Sequence, residues 1–163
     1  MSDPTVAQGT EQVLATIPNV TVKAGFMGFG SRLHSVILTS HRIIFVRETM
    51  AALKKISGDL RAEAKSKGEG WTGQMGAQSK AHEIFAQTYA AMNPAAILVN
   101  DPNSFAVDRS TVTDVKVKTV TPADGVQEDR LTIKTTGKKY KCVVNGSLAD
   151  AWEALATAGF DVH

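Results

Sequence analysis

The residues of this 163-residue chain that could do chemistry are four histidines, one cysteine and a scatter of carboxylates. His34, His41, His82 and His163 stand at no spacing that would set them around a metal ion, with one another or with a pair of carboxylates. Cys142 falls at an inward position of an alternating strand pattern, where a thiol is a small core residue rather than a nucleophile. Asp108 and Asp114 read as turn and surface carboxylates, and no serine sits in a nucleophile-elbow sequence. The glycine-bearing run Gly25 to Ser31 lacks the Gly-Lys-Ser/Thr ending of a phosphate loop. It also leads into a strand pattern, not into the helix whose amino end would hold a phosphate. It reads instead as a hairpin loop or bulge, with Phe26, Met27 or Phe29 tucked against the core. The expectation is a protein without catalytic residues, metal or cofactor.

Residues suited to binding are more visible. Trp71 and Met75 stand in a glycine-rich stretch close to Lys65 and Lys67, a combination that could anchor a protein partner or dip into a membrane interface, or fold back over its own helices. Lys134, Lys138, Lys139 and Lys141 gather around one hairpin. They could face anionic lipid or nucleic acid, but lysines on a strand face also keep an exposed sheet from pairing with others, and that reading is preferred. A net charge of +2 is too small to imply a nucleic-acid partner by itself, and none is expected. With a single cysteine no internal disulfide can form, and Met1 to Gln12 lacks the basic start and apolar run of a secretory signal. A cytoplasmic protein is expected, at most peripheral to a membrane.

The elements that position these residues are organised around Ser35 to Val46, two apolar runs broken by the polar turn Thr39 to Arg42. This is the pattern of a hairpin, and apolar side chains at consecutive positions require cover on both faces. Before it, residues 1–12 read as a flexible arm, and Pro18-Asn19 as a turn into a short strand from Val20 to Ala24. After it the apolar period changes to three and four. Met50, Leu53, Ile56, Leu60 and Ala64 form the stripe of one helix; Ala81, Ile84, Phe85, Thr88, Tyr89 and Met92 form that of a second, capped by Ser79. Lys65 to Gly76, rich in glycine, is expected to be a mobile connection, and Asn93-Pro94 opens a third, short helix. From Asn103 the period returns to two, through Phe105 and Val107, then Val115 and Val117, then a hairpin pairing Leu131 and Ile133 with Tyr140, Cys142 and Val144. The last helix has Ser147 as cap, Leu148, Ala151, Trp152 and Leu155 as its buried stripe, and Gly159 as its left-handed stop.

The succession of strand, glycine-bearing loop, Leu38-Thr39-Ser40-His41-Arg42-Ile43, a strand such as Phe105 to Val117, a hairpin and one terminal helix resembles the bacterial and archaeal pleckstrin-homology-like (PH-like) domains and their GRAM-type relatives. The resemblance covers residues 13–48 and 103–160. It implies a single α+β domain over residues 1–163: a bent antiparallel β-barrel or sandwich, with Trp152 and the terminal helix plugging one open end. Residues 49–100 depart from the family pattern as a two- to three-helix insertion. The resemblance further implies a non-catalytic binding or assembly module contacting a protein partner or a second copy of the chain. The alternative that it implies is an anionic lipid-headgroup reader built on Lys23, Arg32 and Arg42, whose ammonium and guanidinium groups suit phosphate oxygens.

Overall fold

A computed structural model describes residues 10–24, 30–68 and 80–163, together with the backbone of 71–79. Seven strands form one antiparallel sheet: β1 (Val13–Val22), β2 (Arg32–Thr39), β3 (Arg42–Arg47), β4 (Phe105–Asp108), β5 (Val112–Val120), β6 (Glu128–Thr135) and β7 (Lys139–Val144). Their order across the sheet is β4-β3-β2-β1-β7-β6-β5. Helices α1 (Met50–Ser66), α2 (Trp71–Ala90) and α3 (Pro94–Asn100) lie between β3 and β4 in sequence, and α4 (Leu148–Thr157) follows β7. The architecture is α+β, but the sheet does not close into a barrel: β4 and β5 remain its two edges.

The consecutive apolar residues of β2 and β3 divide between two cores. Val36, Leu38, Ile43 and Phe45 join side chains from the other five strands and Ala151, Leu155 and Ala158 at the carboxy-terminal helix. Ile37, Ile44 and Val46 join Leu53, Ala81, Phe85 and Ile97 of the three inserted helices. The period-2 geometry of a strand sends alternate residues to opposite faces, so a hairpin apolar at every position needs both covers.

Several local features differ from the sequence reading. Pro18 and Asn19 do not separate a turn from a new strand; they form a bulge inside one continuous β1, with Asn19 in the left-handed region at φ 59°. Two residues of β1 there oppose the single Ser35 of β2, and the one extra residue resets the side-chain parity, so that Ile17 and then Val20 and Val22 all reach the same core. The stretch read as a mobile connection after α1 is short, because helix already begins at Trp71; Ser79 is therefore inside α2 and not its cap. Glycine costs a helix interior about 1 kcal/mol per residue, enough to weaken the pattern but not to forbid the helix. Met50 is exposed at the first position of α1. Trp152 does not plug the domain. It is 42% exposed, and α4 is buried through Ala151 and Leu155, one residue before Trp152 and three after it.

The end of α4 follows its sequence signals. Ser147 Oγ accepts from the Asp150 backbone N–H at 3.2 Å, and Gly159 has φ 87°. The Phe160 N–H then donates to the Leu155 carbonyl at 3.0 Å, closing the helix with Phe160 packed on the core. The Arg109 guanidinium lies 4.2 Å from the centre of the Phe160 ring. Cys142 is buried on the inward face of β7, and burial pushes its thiol up to about 12, which leaves it protonated and inert at neutral pH.

Candidate functional site

Where the inserted helices meet the bulge of β1 and the carboxy-terminal helix, the surface opens into a cleft of about 830 Å³. Thr16, Ile17, Pro18 and Asn19 form one wall, His82, Glu83 and Gln87 of α2 a second, and the Val144 to Ser147 turn with Asp150, Glu153 and Thr157 of α4 a third. Its volume lies within the range of ligand sites in proteins. Among the described residues three carboxylates, Glu83, Asp150 and Glu153, line it, and no lysine or arginine does. The chain is net positive, so this cleft runs against the overall charge. Cationic groups are the ligands its field favours.

Beneath the cleft lies a buried carboxylate. Glu48 follows β3 on the face that packs against the inserted helices, and its side chain has no exposure. Its Oε1 accepts from Ser35 Oγ at 2.6 Å and from the Asn19 backbone N–H at 3.2 Å; its Oε2 lies 2.6 Å from His82 Nδ1. Three elements, β1 at its bulge, β2 and α2, are thereby tied to one side chain. Because a carboxylate accepts, Nδ1 of His82 is the donor, and Nε2 is the ring nitrogen left for a ligand. The grouping is not a catalytic triad. Glu48 stands between the serine and the histidine, so His82 does not touch Ser35, and Ser35 is fully buried. Its chemistry is structural: it orients one histidine at the wall of the cleft.

The basic residues singled out from the sequence do not converge. Lys23 and Arg32 lie near one another at one end of the β1–β2 pair, since Val22 is opposite Arg32. Arg42 begins β3 beyond the far end of β2, roughly 20–25 Å away at about 3.3 Å per strand residue. Two of the three are already engaged: Lys23 Nζ lies 3.1 Å from Glu128, and Arg42 donates through Nε and Nη2 to the two oxygens of Glu11, each at 2.8 Å. Arg32 donates to the Ser31 carbonyl. One headgroup cannot be gripped by all three.

Glu11, at the end of the expected arm, is thus fixed to the β2–β3 turn. Gln12 is fixed beside it, its backbone exchanging hydrogen bonds with Ser40. The Arg42 hydrogen bonds, assisted by that of Thr39, hold the Glu11 carboxyl below its ordinary value. A depressed carboxylate adds stability above its unfolded pKa, and that contribution is lost as pH falls through the folded one. Glu11→Gln is expected to cost about 1 kcal/mol at pH 7, the modest worth of a bidentate pair that still meets solvent. The gap between the two urea midpoints should close once the pH is taken well below 4.5.

Of the partner residues read from the sequence, Lys65 is exposed in the last turn of α1, and Lys67 lies 2.8 Å from Glu63 one turn earlier. Trp71 and Met75 fall in the backbone of α2, and their side chains lie outside the described residues, as do Phe26, Met27 and Phe29. The cleft was missed because its walls come from distant parts of the chain. One signal was present: Ser35 and Glu48 are polar residues at positions whose parity sends them under the inserted helices. Among the described residues no group of three or more His, Cys, Asp or Glu is arranged to hold a metal, and no helix is long and apolar enough to cross a membrane. No family model, curated protein or solved structure matches the chain.

Proposed function

We propose that this chain is a non-catalytic PH-like binding module whose cleft, completed by the helical insertion, receives an arginine- or lysine-bearing segment of a protein partner. The observation that carries this reading is the cleft itself: about 830 Å³, lined by Glu83, Asp150 and Glu153 from two facing helices, with no lysine or arginine among the described lining residues. A carboxylate forms its strongest hydrogen bonds with cationic donors, and an arginine fork matches it in two places. His82, oriented by Glu48, adds a directional nitrogen to the same wall. The PH-like part of the reading is supported by the strand order and by one terminal helix packed against a core that draws on all seven strands. The non-catalytic part is supported by the order of Ser35, Glu48 and His82 and by the inert thiol of Cys142.

The test is fluorescence anisotropy with a labelled Gly-Arg-Gly-Arg-Gly peptide and its Gly-Glu-Gly-Glu-Gly counterpart. The arginine peptide should bind, the glutamate peptide should not, and E83Q/E153Q should weaken binding of the first at least tenfold, one carboxylate from each helix being about 1–2 kcal/mol for a charge-assisted pair. Equal binding of both peptides, or an unaffected double variant, would overturn the reading.

A further inference from the structure

Among the described residues no other element covers the outward face of β5, β6 and β7. Lys116 and Lys118 on β5, Lys134 on β6, and Lys139 and Lys141 on β7 all point out from it and are exposed. Their inward neighbours Val115, Val117, Leu131, Ile133, Cys142 and Val144 fill the core. The register sets like charges against one another: Lys134 is directly opposite Lys139, and Lys118 directly opposite Arg130. Like charges across neighbouring strands destabilise a sheet. Guarding an edge does not explain them, because β6 and β7 are interior strands, and only β5 is an edge. The acids on this face are already engaged, Glu128 with Lys23 and Arg130, and Asp114 with His163.

We infer that this face docks on an anionic lipid bilayer, as a site separate from the cleft. An array of ammonium groups on neighbouring strands about 4.8 Å apart suits a surface of diffuse negative charge. It is poorly suited to nucleic acid. No outward position among these strands carries an aromatic ring for base stacking, and lysine predominates over the arginine fork that reads phosphates and bases. Glu128 already compensates Arg130, but the Lys134–Lys139 repulsion, unfavourable in the free protein, is relieved when the surface of an anionic membrane lies against it.

The experiment is co-sedimentation of the whole chain with phosphatidylcholine vesicles and with vesicles carrying 30% phosphatidylserine, at 50 and 150 mM salt. Capture is expected on the anionic vesicles alone, weaker at the higher salt. K134Q/K139Q should lower the partition coefficient about 30-fold, at roughly fivefold per lysine. The same variant should melt at the same temperature as the parent or higher, since it removes a like-charge pair, so loss of capture cannot be ascribed to unfolding. E83Q/E153Q, which alters only the cleft, should leave capture unchanged. Capture indifferent to lipid charge, capture unaffected by K134Q/K139Q, or tighter binding to a 20-base-pair DNA duplex than to the anionic vesicles would overturn the inference.

Discussion

Glu48→Ala is expected to destabilise the protein by about 3–5 kcal/mol, the cost of removing one partner from a buried polar network. The substitution leaves the Ser35 hydroxyl, the Asn19 backbone N–H and the His82 Nδ1–H without their acceptor, in a place that water does not reach from the Glu48 side. Each stranded group costs about 1–3 kcal/mol, and relaxation keeps the sum below the simple total. Asn19 is the least able to relax, because it is held at φ 59° in the bulge and its carbonyl also accepts from Asn145. Urea unfolding should show the loss as a lower midpoint with an unchanged slope. Glu48→Gln keeps an acceptor for Ser35 and Asn19 and is expected to lose about half as much. If Glu48→Ala lost less than 1 kcal/mol, the three elements would not be held together by this side chain, and the wall of the cleft would need another explanation.

The second large effect is expected at Phe45→Ala, again about 3–5 kcal/mol, for removal of a fully buried aromatic ring. Phe45 stacks on Phe105 at 4.7 Å between ring centres, with Tyr140 at 6.0 Å, and His34 meets the same cluster edge-on. These rings come from β2, β3, β4 and β7, so the cavity would open where the β4-β3-β2 side of the sheet meets β7 across the core. His34 binds the Arg32 carbonyl through Nδ1, and burial holds its imidazole below the ordinary value. A histidine kept neutral in this way favours the fold above its unfolded pKa of about 6.5 and opposes it as pH falls below that value. The destabilised Phe45→Ala protein should therefore lose its fold at mildly acid pH sooner than the parent, as followed by near-ultraviolet circular dichroism.

What was legible in the sequence was everything governed by period. The doubly apolar hairpin announced two cores, and both are present, one under the terminal helix and one under the insertion. The alternation in β5 to β7 gave the inward set from Val115 to Val144, and Ser147, Gly159 and Phe160 marked the ends of α4. What failed was where period is silent or equivocal. A helix of ten residues cannot bury every apolar side chain on a stripe that is too wide, and the smaller Ala151 took the close approach that was expected of Trp152. Gly73 and Gly76 hid the first turns of α2, because local propensity was read without the tertiary contacts that override it. The proline-asparagine pair was read as a break when it is a bulge, and that bulge supplies both a wall of the cleft and a donor to Glu48.

The candidate site was legible only in fragments. Ser35 and Glu48 are thirteen residues apart, and His82 is thirty-four beyond Glu48, so no spacing rule connects them. The basic residues Lys23, Arg32 and Arg42 were individually plausible phosphate ligands. Strand length sets Arg42 apart from the other two, and carboxylates that the sequence does not show to be near, Glu128 and Glu11, engage Lys23 and Arg42. Acidity in the cleft arises in the same way, from two helices whose facing is set by packing against β1.

The most direct test of the cleft as a binding site is a two-dimensional amide NMR titration of the isotopically labelled protein with unlabelled Gly-Arg-Gly-Arg-Gly. Shifts confined to Thr16 to Asn19, Asn145 to Ser147 and the amides around His82, Asp150 and Glu153, and lost in E83Q/E153Q, are the expected result. Shifts centred on any other surface, or none up to millimolar peptide, would contradict the assignment of the cleft as the site where this protein meets a basic partner.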